Sequence, residues 1–331
     1  MAIHPLLPHS RPRRLFGHVA TMCGVGAVAL GLLAPGLLGS GLLGSGLLAS
    51  GPTRVQAVPR TVNQQRIFVS VVDKEGVPTP TLTPDDLTIK EDGRSREVLT
   101  VEPATEAMQI ALLVDTSAVT TTAIRDIRLG LKAFSVAIWE KSPDTQIALF
   151  SFGERPTLLA DFSSSAVLLD RQINRLFATT GSGAYFIDAV IEAAAVLGKR
   201  GASRSVVVAY VDENGPEFSN RRSDYTFKAI SAAHTSLWVV ARQGFGSNAS
   251  TPENIERAMV IGDVTTRSGG RSSTVLNGTA IPARLTDVAV ELLGQFAVTY
   301  GRPESLVPPD QLEVKLTNSD LRLAAPRWTS R

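Results

Sequence analysis

Cysteine and histidine are almost missing from this chain of 331 residues, which has one cysteine and four histidines. Cys23 and three of the histidines lie within the first 57 residues, so residues 58–331 contain no cysteine and only His234. This inventory excludes structural zinc sites, disulfide frameworks and cysteine–histidine nucleophile pairs from the body of the chain. A serine–histidine–aspartate triad would need His234, whose place between a helical stretch and an apolar strand favours a helix-terminal or core role.

Acidic residues and lysine are absent from the first 57 residues, where the only charged side chains are Arg11, Arg13, Arg14 and Arg54. A basic start, a long apolar stretch and a small-residue site at Val55-Gln56-Ala57 are typical of an export signal. The Arg-Arg-Leu-Phe run from Arg13 matches the core of a twin-arginine signal, so both the general and the twin-arginine export routes stay open.

Four tandem pentapeptides that begin Gly-Leu-Leu occupy residues 31–50. A period of five spreads the leucines around a helix, which suits lipid on all sides better than a groove on a soluble partner. We therefore predict that residues 1–57 are a signal peptide or a membrane anchor, with any anchoring through residues 15–50. The chain is expected to be exported to the cell envelope, the periplasm or the extracellular space.

An excess of positive charge is absent from the body of the chain. The whole sequence has 33 basic and 31 acidic residues, and the four arginines of the first 57 residues leave 29 basic residues against 31 acidic ones. A net charge of −2 does not favour binding to a polyanion, so we expect no nucleic-acid partner.

Short strand patterns lie at both ends of the body. Arg66–Val72 alternates like a strand, and Glu91-Asp92-Gly93 separates two strand-like runs as a hairpin turn would. These features predict an N-terminal β module over residues 64–106. Two short strands in residues 303–331 are expected to pack with that module, because each set alone has too few strands to form a stable domain.

Apolar strands alternate with amphipathic helices through residues 107–302. Met108–Val114, Ser205–Val211 and Leu237–Val240 are apolar enough to be buried on both faces of a parallel sheet. The positions Ile124, Ile127, Leu131, Phe134 and Ile138 mark one face of an intervening helix. We predict an α/β fold with a doubly wound, mostly parallel sheet of the Rossmann-like kind and a small flanking β module.

Two of these strands end in an acid, Asp115 after the first and Asp212 after the next. Ligands bind outside the carboxyl ends of strands in such sheets, so Asp115, Ser117 and Asp212 are expected to converge on one crevice. Oxygen ligands of this kind suit Mg²⁺. The alternative is that these side chains only cap the helices that follow.

Asp115-Thr116-Ser117-Ala118-Val119, with an apolar strand before it and an amphipathic helix after it, resembles the first motif of a von Willebrand factor type A domain. More specifically, the chain resembles the bacterial VWFA-related proteins first noted in acidobacteria. The Glu91-Asp92-Gly93 hairpin before the domain, the Gly269-Gly270-Arg271 turn and the strand Phe296–Tyr300 occur in the order of that family. The resemblance covers about residues 64–325 and implies a von Willebrand A-like fold.

The family's metal-ion-dependent adhesion site implies Asp115, Ser117 and Asp212 as ligands of Mg²⁺. The family's third motif position corresponds to Val119 and its threonine position to Ala184, and neither side chain carries an oxygen. The resemblance therefore implies a degenerate site in which Mg²⁺ is weakly held or lost. A shift of the loops would let Thr120, Thr180 or Ser182 compensate.

The resemblance implies a non-enzymatic, exported module for protein interaction or adhesion, in which a partner's carboxylate completes the coordination of the ion. The partner is expected to be a protein. One alternative is a metal-free structural scaffold of the cell envelope, and another is a metal-dependent hydrolase acting through Asp115 and Asp212.

Overall fold

The computed structural model describes residues 62–244, 250–304 and 309–328. All of them belong to one compact unit, Val58–Arg331. The predicted leader, residues 1–57, lies outside the described residues. None of the helices within the described ranges has the length and apolar character that a membrane crossing needs.

The central sheet has six strands, of which five are parallel and one edge strand is antiparallel. In chain order these are β5 (Gln109–Val114), β6 (Gln146–Ser151), β7 (Thr157–Ser163), β8 (Ser205–Asp212), β9 (Thr235–Arg242) and β10 (Ser272–Val275). Their spatial order is β10-β9-β8-β5-β6-β7. The order reverses between β5 and β8, which makes that pair the switch point where such folds bind ligands.

Helices cover both faces of this sheet. They are α1 (Ile124–Lys141), α2 (Ala166–Asn174), α3 (Phe186–Arg200), α4 (Ser223–Ala232), α5 (Pro252–Met259), α6 (Thr265–Arg267) and α7 (Ile281–Leu293). The α1 and α7 side forms one buried apolar cluster and the α3 side forms another. The predicted fold class, a doubly wound, mostly parallel α/β sheet with a flanking β module, is confirmed.

Two antiparallel sheets form the flanking module. Their strands are β1 (Val62–Val72), β2 (Leu87–Glu91), β3 (Arg94–Arg96), β4 (Val98–Pro103), β11 (Phe296–Pro303), β12 (Leu312–Leu316) and β13 (Arg322–Ala324). One sheet has the order β13-β1-β11-β4 and the other β12-β2-β3. A third apolar cluster fills the space between them. The last three strands of the chain thus pair with its first ones.

The turn between β2 and β3 is as tight as its sequence indicates. Asp92 and Gly93 both have positive φ, at 46° and 76°, as a two-residue hairpin turn requires. Glu91 precedes the turn and is fully buried. The predicted hairpin at Glu91-Asp92-Gly93 therefore forms, with an acid at its base that faces the module's interior.

Candidate functional site

The carboxyl ends of β5 and β8 bring Asp115, Ser117 and Asp212 together. These strands are parallel neighbours, with Val114 opposite Tyr210, so the residues that follow them lie side by side. The backbone N–H of Asp212 donates to Oδ2 of Asp115 over 3.0 Å. All three side chains have no solvent exposure.

Asp115 has both carboxylate oxygens occupied by backbone amides. Its Oδ1 accepts from the N–H of Ser117 at 2.8 Å, and its Oδ2 accepts from the N–H of Asp212. Burial raises the pKa of Asp115 to about 6, although the hydrogen bonds from Ser117 and Asp212 favour the ionised form, and the charge of Asp212 raises the pKa further. Through these hydrogen bonds the carboxylate joins the turn after β5 to the end of β8.

Asp212 is held between an amide side chain and a guanidinium. Its Oδ1 accepts from the backbone N–H of Asn214 at 3.1 Å and from Nδ2 of Asn214 at 2.8 Å. Its Oδ2 lies 2.7 Å from Nη2 of Arg242, the last residue of β9. The contact is an ion pair by distance, and Oδ2 accepts no hydrogen bond from any described residue.

The two positions that lack an oxygen help to close the crevice. The Cγ2 atom of Val119 lies so close to Gly215 that a Cβ there would be 3.0 Å away. Ala184 is fully buried, and its backbone N–H donates to Pro216. Next to it, a Cβ on Gly183 would lie 2.5 Å from the ring of Phe218. Apolar side chains thus pack against glycines of the loops after β8 and before α3.

Two of the three hydroxyls that could compensate for Val119 and Ala184, those of Thr120 and Ser182, are directed elsewhere. Thr120 Oγ1 donates to the carbonyl of Ser117 at 2.8 Å, and Ser182 Oγ donates to the carbonyl of Thr179 at 2.8 Å. Ser117 Oγ is the exception, since it is buried and has no hydrogen-bond partner among the described residues. The buried Oγ of Ser117 and the buried Oδ2 of Asp212, neither of which has a hydrogen-bond partner among the described residues, are the features of the crevice that favour an ion.

The residues of the crevice do not fit a divalent cation. The described ranges contain no group of three or more histidine, cysteine or acidic side chains placed to hold a metal ion. Each oxygen of Asp115 already accepts a hydrogen bond from a backbone amide, and a guanidinium lies against Asp212. A divalent ion on the same oxygen of Asp212 would be repelled by Arg242, and Mg²⁺ needs near-octahedral oxygen ligands that Val119 and Ala184 cannot supply.

His234 lies at the opposite edge of the sheet from these acids. It follows α4, directly before β9, with a left-handed φ of 49°, and its N–H donates to the carbonyl of Ser231 at 3.1 Å. It therefore ends a helix, which is the role that its sequence context favours. His234 is the only histidine in the described ranges, and it is not at the carboxyl edge where Asp115 and Asp212 lie.

Arg242 and Phe218 are the residues of this region that the sequence analysis missed. Arg242 follows the apolar run Leu237–Val240 and ends a strand beside β8. The same strand-end argument that joins Asp115 to Asp212 would have found it, since parallel strand ends lie at one edge. Phe218 carries no such signal, because its position depends on how the loop after β8 folds back.

No family model matches the chain, and no curated protein is similar enough in sequence to count as a relative. Solved structures do match. A von Willebrand factor type A protein from Catenulispora acidiphila is 10% identical, with 81% of this chain and 75% of that chain covered at a TM-score of 0.45.

Two further matches are a pilus adhesin and a matrix protein. SpaC from Lactobacillus rhamnosus GG, in its open conformation, is 10% identical over 79% of this chain and 46% of that one, with a TM-score of 0.46. Proximal thread matrix protein 1 of the mussel byssus, with a zinc-occupied MIDAS motif, is 14% identical over 62% and 50%, with a TM-score of 0.49. At these identities and TM-scores the matches say nothing about a ligand or partner of this chain.

Proposed function

We propose that the chain is a non-enzymatic protein-interaction module that binds its partner without a metal ion. The contact surface is the rim around the crevice, and the acids beneath it hold the loops in place. The leader predicted over residues 1–57 would place the module at the cell envelope. The single observation that carries the proposal is a set of exposed apolar side chains on the loop after β8, on α4 and on α5.

This set, called here the apolar rim, comprises Phe218, Tyr225, Ile255 and Met259. Each is about half exposed, at 48%, 49%, 50% and 46% of its maximum. Isolated exposed apolar residues are ordinary, but a group of them on one stretch of surface marks a binding site. Aromatic residues and methionine are also the types enriched in protein interfaces.

Contacts between the underlying segments hold the rim together. The ring of Phe218 meets that of Tyr185 edge to face at 5.9 Å between centroids. On α4, Ser223 Oγ lies 3.7 Å from the sulfur of Met259, and the N–H of Ser223 donates to Glu256 at 2.7 Å. The N–H of Glu217 also donates to Oδ1 of Asn254 on α5 at 2.9 Å, so the loop after β8, the start of α4 and α5 form one supported surface.

Arginine adds a polar component to this surface. The guanidinium of Arg221 lies 5.2 Å from the ring centre of Tyr225, and Arg222 is 80% exposed at its side chain. Tyrosine and arginine together are the residues that most often contribute large energies to protein interfaces. A protein partner suits this composition better than a small molecule would, because the rim consists of exposed side chains from three segments.

Catalysis by Asp115 and Asp212 is left out of the proposal because both acids are fully buried and occupied. The metal-free scaffold is a second candidate, and a different surface favours it. Val136 on α1 and Val167 on α2 are 53% and 69% exposed and line one groove between the two helices. In a scaffold, contacts would use these helices.

Site-specific photocrosslinking separates the two candidates. A photoreactive phenylalanine analogue is placed in the full chain at position 218 or 225, with position 167 as the matched exposed control, and cells are irradiated with and without a chelator. The proposal expects one crosslinked protein partner from positions 218 and 225 in equal yield with and without chelator. A partner crosslinked only from position 167 supports the scaffold, and a yield lost with chelator contradicts metal-free binding.

A further inference from the structure

We infer that the guanidinium of Arg242 takes the place of a divalent cation at the ends of β5, β8 and β9, and holds these strand ends in one arrangement without a metal. The inference concerns the buried crevice alone. It does not depend on which exposed surface meets a partner.

Arg242 connects three loops through its side chain and backbone. Its Nη2 lies 2.7 Å from Oδ2 of Asp212 and donates to the carbonyl of Val119 at 3.3 Å. Its own carbonyl accepts from the N–H of Glu213 at 3.0 Å. A bound ion would join the loops after β5 and β8 by coordinating oxygens of both, and the guanidinium joins the same two loops through a carboxylate and a carbonyl.

Arg242 supplies a positive charge beside two buried acids, Asp115 and Asp212. Asp115 and Asp212 have no exposure and are linked directly, since the N–H of Asp212 donates to Asp115. An ionised carboxylate in a protein interior requires a paired charge, and removal of one partner of a buried pair is strongly destabilising. Only 15% of the Arg242 side chain is exposed, so this positive charge is poorly screened by water.

The chemistry of the guanidinium makes this arrangement permanent. Arginine stays protonated throughout the range in which proteins work, and a covalently attached cation cannot dissociate or exchange as an ion does. The neighbouring positions also suit an arrangement without a metal ion, because Val119 and Ala184 pack as apolar side chains where an ion would need oxygens. The crevice is therefore fixed in one state and does not respond to divalent ions.

A double-mutant cycle on the full chain in mild detergent tests this inference. Melting temperatures are compared for wild type, Arg242→Met, Asp212→Asn and the double variant, and for the matched exposed pair Arg284→Met and Asp287→Asn, whose N–O distance is 3.1 Å. Each single change in the crevice is expected to lower the melting temperature by about 10 °C. The decrease in melting temperature of the double variant is expected to be clearly smaller than the sum of the two single decreases. For the exposed pair, the two decreases are expected to add.

The same melts are repeated with Mn²⁺ and with a chelator, and neither is expected to move the wild-type midpoint. If Arg242→Met does not fold, Arg242→Lys replaces it, and this variant should melt closer to wild type than Asp212→Asn because it keeps the charge. The inference is overturned if the decreases in melting temperature for Arg242→Met and Asp212→Asn are additive, or if Arg242→Lys melts no higher than Asp212→Asn. It is also overturned if Mn²⁺ raises the wild-type midpoint and a chelator lowers it.

Discussion

Glu217 lies in the loop after β8, and its almost fully buried carboxyl group contacts the start of α3. Its Oε2 accepts from the N–H of Phe186 at 3.4 Å, and its Oε1 accepts from the N–H of Ile187 at 3.4 Å and from that of Ser219 at 3.2 Å. Burial raises its pKa to about 7, against the opposing effects of the Ser219 hydrogen bonds and the charge of Arg257. A side chain that caps one helix is thus itself a source of pH-dependent stability.

Glu217→Gln tests this residue through the pH dependence of unfolding. A carboxyl with a raised pKa holds its proton more tightly in the folded state, so its contribution to stability is lost as pH rises through about 7. Glutamine resembles the protonated acid, and we expect the variant to match wild type near pH 4, below the unfolded pKa, and to exceed it near pH 8 by on the order of 2 kcal/mol. Chemical unfolding at both pH values measures the difference, and equal pH slopes would refute the assignment.

The hairpin of β2 and β3 is attached to β11 through one acid. Glu91 Oε1 accepts from the hydroxyl of Tyr300 at 2.7 Å and from Nε of Arg302 at 2.8 Å, while its Oε2 lies 2.8 Å from Nε of Arg96. Glu91 has no exposure, and the Arg302 side chain is 10% exposed. The acid of the Glu91-Asp92-Gly93 motif therefore joins the two antiparallel sheets, in addition to its place before a turn.

Glu91→Ala should weaken the β module far more than the loss of an exposed ion pair. The change leaves the guanidinium of Arg302 buried without its carboxylate, which typically costs about 3–5 kcal/mol. Asp320→Ala, which removes the exposed pair with Lys74, is the matched control and should cost less than about 1 kcal/mol. Urea unfolding measures both, and equal losses would show that the buried cluster contributes no more than a surface pair.

Over the whole molecule, the hydrophobic pattern of the sequence predicts the layers of helices and sheet, but it does not predict which strands pair with each other. The runs Met108–Val114 and Ser205–Val211 indicate a parallel sheet because they are apolar on both faces. The antiparallel edge strand β7 was missed because an edge strand of mixed polarity, half exposed along its length, leaves no strict alternation. Similarly, an apolar strand such as β11 does not indicate which of three sheets it joins, since pairing depends on distant segments.

The candidate site, too, can be predicted from the sequence only in part. Strand-end position predicts that Asp115 and Asp212 meet, because it is a property of parallel sheets. The pairing of Asp212 with Arg242 needs the further knowledge that β9 lies next to β8. The packing of Phe218 over Gly183 depends on a loop whose course no periodicity encodes. Sequence resemblance thus indicates where a metal site would be, and the neighbouring strand supplies the reason that an ion does not fit.

Calorimetric titration of Mn²⁺ into the full chain tests most directly the claim that this crevice works without a metal. We expect no binding heat up to about 1 mM, the weak limit of extracellular calcium sites, and no difference between the wild-type protein and an Asp115→Ala variant. A saturable heat with one ion per chain that disappears in Asp115→Ala would contradict it.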